Sequence, residues 1–432
     1  MFDLLKTGGS MTAIFETHES QVRSYCRNFN KLFTRASGCR LYDATGDVYL
    51  DFLSCAGALN YGHNPAGIKA TIIDYIAQDG IQGALDLHTE AKKEFIETFN
   101  RVILQPRKLR YKIQFTSPTG TSVVESAVKL ARKVTQRKRI VAFTNAYHGM
   151  TGTALGLTGN ADNRQAVMDT LVDRIPFDHY VSGLDSVDFL SLLWSDRSSG
   201  YELPAAVILE TVQGEGGINV ASAEWVRKLR RLTLEKGVLL IIDDIQAGCG
   251  RTGHFFSFER FDIQPDLVCL SKSLSGYGYP LSVLLMNPEL DIWSPGEDNG
   301  TFRGNSLAMV AGRKALELYW QGDSLCQQIG ARNHQLQVGL QHLQQQFPDA
   351  ISDVRGRGLM LGIAFYDAAQ AATITRECFN RHLILERCGN EDQVIKFFPP
   401  LTISAADLQK GLDIFADVVR QCLATRPIEI SA

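Results

Sequence analysis

The 432-residue sequence predicts an α/β fold: a mainly parallel central sheet in a large domain, joined to a smaller α/β domain built from both chain ends. Three observations carry this. Five short, almost wholly apolar runs recur with helical stretches between them, the pattern of strands buried on both faces of a parallel sheet. Each run ends in a polar residue that would be out of place in a core. Towards the C-terminus the pattern changes to longer amphipathic segments.

The elements follow in chain order. Residues 1–70 are expected to be the N-terminal segment of the small domain, 71–320 the large domain and 321–432 the C-terminal part of the small domain. The five strand candidates are Tyr111–Thr116, Arg139–Phe143, Ala205–Leu209, Val238–Ile242 and Asp266–Leu270. Ser122–Thr135 reads as a helix because Val124, Val128, Ala131 and Val134 recur at helical spacing. Trp225–Lys236 reads as another, with Val226, Leu229 and Leu232 on one face. In the tail, Leu325, Ile329, Leu336, Leu340, Leu343 and Phe347 form one apolar stripe. Ser404 and Asp407 resemble a capping box opening a last helix.

Composition narrows the function classes. The chain has 44 Lys+Arg against 47 Asp+Glu, a net charge of −3, which argues against a nucleic-acid or anionic-membrane binder. Its nine cysteines are scattered and odd in number, making neither a disulfide framework nor a metal site. The start has no signal-peptide pattern and no apolar run is long enough to span a membrane. A cytoplasmic protein with reduced thiols is expected, with small-molecule substrates and no metal.

In open α/β sheets ligands bind beyond the carboxyl ends of the strands, so the polar residues there are expected to converge on one site. They are Ser117-Pro118-Thr119-Gly120-Thr121-Ser122, Asn145-Ala146-Tyr147-His148-Gly149, Glu210, Asp243-Asp244 and Ser271-Lys272. Singly, each has a structural explanation as a cap, a turn or a solvated side chain. Together they supply a phosphate loop at a helix start, a flat aromatic, a buried carboxylate and a lysine. That combination fits pyridoxal 5'-phosphate, whose phosphate, ring, ring nitrogen and aldehyde need those four groups. Lys272 is then the Schiff-base lysine and proton carrier, and Asp243 the partner of the ring nitrogen. His148 and His88 are positioning residues at best.

The run Val238-Leu239-Leu240-Ile241-Ile242-Asp243-Asp244-Ile245-Gln246-Ala247-Gly248-Cys249-Gly250-Arg251-Thr252-Gly253 resembles the signature of the class III (subgroup II) aminotransferases. So do Glu210-Thr211-Val212-Gln213-Gly214-Glu215-Gly216-Gly217, Tyr61-Gly62-His63-Asn64-Pro65, and Val354-Arg355-Gly356-Arg357-Gly358-Leu359. The resemblance covers nearly the whole chain and implies the fold type I architecture of pyridoxal phosphate enzymes. It implies that Gly120 and Thr121 hold the cofactor phosphate and Tyr147 stacks on the ring. Gln246 then bonds the ring's phenolic oxygen, and Glu210 belongs to the cofactor shell. Thr301 is expected to reach the phosphate of the neighbouring subunit's cofactor, which makes a homodimer the minimum assembly.

Two positions depart from the general family pattern. Lys396 stands where many relatives have a carboxylate-gripping arginine paired with the residue equivalent to Glu215, and Arg303 replaces a glycine. The stretches Gly57-Ala58-Leu59-Asn60-Tyr61, Ser271-Lys272-Ser273-Leu274-Ser275-Gly276 and Thr301-Phe302-Arg303-Gly304-Asn305 look like the diaminobutyrate–2-oxoglutarate branch, which serves ectoine, siderophore or peptide synthesis. That resemblance implies transfer of the amino group of L-glutamate to the aldehyde of L-aspartate 4-semialdehyde. The alternative is another class III ω-aminotransferase acting on ornithine, 4-aminobutyrate, acetylornithine or an unusual ketone. Charge logic makes Arg303 or Lys396 the candidate carboxylate binder and Glu215 or Asp86 the candidate partner of an α-ammonium.

Overall fold

The structure, a computed structural model, describes residues 11–165 and 171–424. The outer ends of the expected head and tail segments, 1–10 and 425–432, lie outside these.

Seven strands form the central sheet, in the order Lys112–Phe115, Val283–Met286, Leu267–Leu270, Leu239–Asp243, Ala206–Leu209, Ile140–Phe143, Val172–Ile175. Val283–Met286 runs antiparallel to both of its neighbours, and the other pairings are parallel. All five expected strands are present, each within a residue or two of its predicted bounds. Two strands go beyond the sequence reading. Val172–Ile175 is an edge strand with a charged centre, where Asp173 pairs with Arg139 and Arg174 donates to the carbonyls of Phe143, Gly156, Leu157 and Thr158. Between Val283–Met286 and its neighbour lies one short helical turn, Lys272–Ser275, and no packed crossover helix, and the strand returns antiparallel.

Successive residues of the central strands point to opposite faces, and both faces are covered. Ile241, Leu267 and Cys269 pack under Val123, Val124, Ala127 and Val128 of helix Gly120–Thr135. Leu240, Ile242, Val268 and Leu270 meet the other layer, which includes Trp225, Val226 and Leu229 of helix Ala223–Lys236. That helix starts where the Ser222 hydroxyl accepts the Trp225 N–H at 3.3 Å and stops at Gly237, whose φ of +58° is left-handed.

Head and tail meet in a second sheet, where Leu383–Ile384 adds in parallel to Val48–Asp51. A third sheet takes the order Ile351–Arg357, Met360–Phe365, Val394–Phe397, Glu386–Cys388. The predicted stripe is buried on helix Ser324–Gln346 except for Phe347, which caps its end. Ser404 Oγ accepts the Asp407 N–H at 3.0 Å and opens helix Ala405–Ala424.

Arg251 ties these parts together. It is fully buried, and its guanidinium donates to Asn60 Oδ1 at 2.6 Å, to Leu359 O at 2.9 Å and to Pro399 O at 2.6 Å. Burial pulls its pKa down to about 9, so it remains a cation at neutral pH, solvated by polar groups from the head and the tail. Arg251→Met removes the donors and strands three buried acceptors. It is expected to cost ~3 kcal/mol or more, read as a lower urea midpoint.

Candidate active site

The strand ends open on one cleft of about 280 Å³, lined by Gly120, Thr121, Tyr147, His148, Glu210, Glu215, Asp243, Gln246 and Lys272. Each reaches it for a local reason. Gly120 and Thr121 begin the helix that follows strand Lys112–Phe115, with Thr119 as N-cap. By helix geometry their amides lack an acceptor one turn back, and the helix dipole adds partial positive charge there. Gly149, at φ +132°, brings its backbone against Thr121, where a Cβ would lie 2.4 Å from Thr121 Oγ1.

Tyr147 is held by its backbone: its N–H donates to Glu210 Oε1 at 2.8 Å, while Glu210 Oε2 accepts the Gly214 N–H at 3.2 Å. Glu210 thus fixes two walls of the cleft. Burial raises its pKa above the usual carboxylate range. Asp243 ends its strand with both oxygens engaged, Oδ2 at 2.7 Å from His148 Nδ1 and Oδ1 accepting the Ile245 N–H at 3.2 Å. His148, expected as a positioning residue at best, is the direct partner of Asp243. Asp244 faces away from the cleft, where Oδ2 accepts the Ser257 N–H at 3.0 Å. Burial raises its pKa to about 7.

Lys272 follows strand Leu267–Leu270 in a left-handed conformation, φ +47°, and its Nζ donates to Ala56 O at 2.9 Å. Gln246 Nε2 donates to the same carbonyl at 3.1 Å, and Ser273 Oγ to Gly57 O at 2.7 Å. The acceptors belong to a left-handed turn, Ser54, Cys55, Ala56 and Gly57, with φ between 48° and 82°. Such a turn strains non-glycine residues and persists where surrounding contacts over-determine it. Burial lowers the Lys272 pKa below that of a free lysine, against the pull of Glu215.

The substrate candidates divide. Glu215 lines the cleft, but Lys396 does not: its side chain is 1% exposed and lies between Glu215 and Glu386. Lys396 thus stands in the ion pair with Glu215 that the family pattern implied, set back from the cleft lining, with Glu386 on its other side. Glu386 went unseen because only the strand register brings it opposite Lys396. Arg303 lies outside the cleft lining, donating to Asp86 Oδ2 at 2.8 Å and to Asp298 O. Asp86 is thereby paired. Thr301 is exposed and also outside the lining.

The donor set suits pyridoxal phosphate on geometric grounds: a helix start with glycine at the close approach, a histidine-oriented carboxylate, an aromatic, and a desolvated lysine amine facing one small cavity. Among the described residues no cluster of His, Cys, Asp and Glu could hold a metal ion, and no helix is long and apolar enough to cross a membrane.

Comparison with known proteins agrees with this geometry. The family model "Aminotransferase class-III" matches residues 23–419. The diaminobutyrate–2-oxoglutarate transaminase of Streptomyces anulatus is 52% identical over 413 residues, 95% of this chain and 98% of the relative. That of Vibrio cholerae serotype O1 is 51% identical over 408 residues, 94% of this chain and 99% of the relative. Among solved structures, the ornithine aminotransferase of Toxoplasma gondii ME49 superposes with a TM-score of 0.84 at 23% identity, covering 98% of this chain and 97% of that one. The lysine aminotransferase of M. tuberculosis gives 0.83 at 24% identity, covering 95% and 99%, so these two likenesses speak for the fold.

Proposed function

The chain belongs to the class III aminotransferases, and we infer that it is a pyridoxal phosphate enzyme moving an amino group from L-glutamate to L-aspartate 4-semialdehyde, giving L-2,4-diaminobutyrate and 2-oxoglutarate. Identity of about half over nearly the full length of transaminases named for that reaction carries the reading.

Pyridoxal phosphate, when bound, supplies an electron sink for the substrate carbon that loses its proton. The chain's residues do the rest. The Gly120 and Thr121 amides would hold the phosphate, and Tyr147, fixed by Glu210, would supply the aromatic wall for the ring. Asp243, oriented by His148 at 2.7 Å, presents negative charge to the ring nitrogen. Lys272 Nζ takes the proton from the substrate carbon and returns one across the same cleft, and its lowered pKa favours the neutral form that can accept it. Gln246, bonded to Ala56 O and to Glu215 Oε1 at 3.2 Å, aligns the phenolic side of the ring.

The proposal extends to the setting. A homodimer, in which Thr301 of each subunit serves the other's cofactor, accounts for the exposure of Thr301 and of the neighbouring Phe302. A cytoplasmic location suits nine cysteines of which none forms a disulfide among the described residues. Diaminobutyrate feeding ectoine, siderophore or peptide synthesis is the purpose the branch resemblance supports.

The test is a screen of L-2,4-diaminobutyrate, ornithine, 4-aminobutyrate and lysine against 2-oxoglutarate, scored by glutamate formed. Preference for diaminobutyrate is expected. Preference for any of the others would move the chain to a different ω-aminotransferase reaction.

A further inference from the structure

One wall of the cleft carries an unbalanced charge. Lys396 Nζ lies 3.0 and 2.9 Å from the two oxygens of Glu215 and 2.8 Å from Glu386 Oε2. The backbone sets this arrangement: Glu386 is the antiparallel partner of Lys396 across two strands, and the Glu215 carbonyl accepts the Gly389 N–H at 3.0 Å. Side-chain exposure rises from 1% at Lys396 to 14% at Glu386 and 31% at Glu215. Of the three, only Glu215 lines the cleft.

Two carboxylates therefore surround one ammonium, and the surplus negative charge faces the cavity through Glu215. Burial opposes the charge on Lys396, but the two carboxylates outweigh it and hold its pKa well above the ordinary value. Burial also works against the Glu215 carboxylate, and Lys396 and Lys272 overcome it to bring its pKa below the ordinary one. The other two carboxylates of the cleft have other tasks: Glu210 holds two backbone amides, and Asp243, held by His148 and the Ile245 amide, is assigned to the ring nitrogen. A Glu215–Lys396 pair alone would be neutral.

We propose that Glu386 is a specificity-determining positioning residue: by holding Lys396 from behind, it leaves Glu215 net negative towards the cleft. That wall selects small amines carrying a second, unreacted ammonium. The inference rests on the reaction assigned above, in which the α-ammonium of diaminobutyrate stays intact while its 4-amino group reacts.

L-2,4-diaminobutyrate and 4-aminobutyrate differ only by that α-ammonium, so the ratio of their kcat/KM values with 2-oxoglutarate reads the wall directly. The wild-type holoenzyme should favour the diamine. Glu386→Gln keeps the shape, removes one charge, and should lower the ratio by about three- to tenfold. The same change should lower the KM for L-glutamate, whose distal group is a carboxylate. A merely structural role would instead slow both amines alike and raise the KM for L-glutamate, overturning the proposal. The double variant Glu386→Gln/Lys396→Gln leaves Glu215 as the sole charge and should restore the wild-type ratio, and it leaves no buried ammonium short of a partner. A ratio unchanged in the single variant, or a ratio still reduced in the double, overturns the proposal. If Glu386→Gln does not fold, Lys396→Gln takes its place: it leaves both carboxylates and should give a higher ratio than the double variant, and equal ratios in the two overturn the proposal. Wild-type enzyme using both amines equally would also overturn it. Wild-type enzyme using neither would overturn the assigned reaction first, and this inference with it.

Discussion

Lys272→Ala holoenzyme is expected to lose turnover by a factor on the order of 10⁴ or more, because the group proposed to move the proton is gone. Among the described residues that line the cleft, Lys272 carries the one amine. The residue as a whole is half-buried with its amine 2.9 Å from Ala56 O, and it sits on a backbone held at φ +47° against a second left-handed turn. Alanine leaves the phosphate-binding helix start and Asp243 untouched, so cofactor retention is expected to survive while kcat collapses. A small primary amine added in solution should restore part of the rate. Turnover within tenfold of wild type would remove Lys272 from the mechanism.

Asp243→Asn is the second large effect. The carboxylate is 4% exposed, and its two oxygens face His148 Nδ1 at 2.7 Å and the Ile245 N–H at 3.2 Å. Asparagine preserves volume and loses the charge that, in the proposed role, would keep the ring nitrogen protonated. In a desolvated cavity, removing one such electrostatic partner costs about 10²- to 10³-fold in kcat. The expected signature is a reduced kcat with an unchanged unfolding midpoint. A wild-type kcat would show that Asp243 serves packing and not the ring.

Much of this site was readable in the sequence because parallel strands deliver their carboxyl ends to one edge. Once five apolar runs were aligned, Gly120, Tyr147, Glu210, Asp243 and Lys272 had to come together. What escaped reading depends on geometry between distant segments. The left-handed turn at Ser54–Gly57 is built mostly from residues that do not advertise positive φ. Its Ala56 carbonyl, shared by Lys272 and Gln246, has no side-chain signature. Arg251 sits inside a recognisable glycine-rich run, but its role in binding head to tail rests on carbonyls of Leu359 and Pro399 far along the chain. Glu386 is ten positions before Lys396, and only the register of an antiparallel pair makes them neighbours. The edge strand Val172–Ile175 was hidden by its charged centre, and Val283–Met286 by its short connection.

The most direct measurement is a two-step single turnover on purified holoenzyme. L-glutamate is added alone, 2-oxoglutarate is counted, small molecules are removed, and L-aspartate 4-semialdehyde is then supplied. About one 2-oxoglutarate per subunit is expected in the first step and a matching amount of L-2,4-diaminobutyrate in the second, with neither formed by Lys272→Ala. Release of 2-oxoglutarate without any diaminobutyrate on addition of the semialdehyde would contradict the assigned reaction.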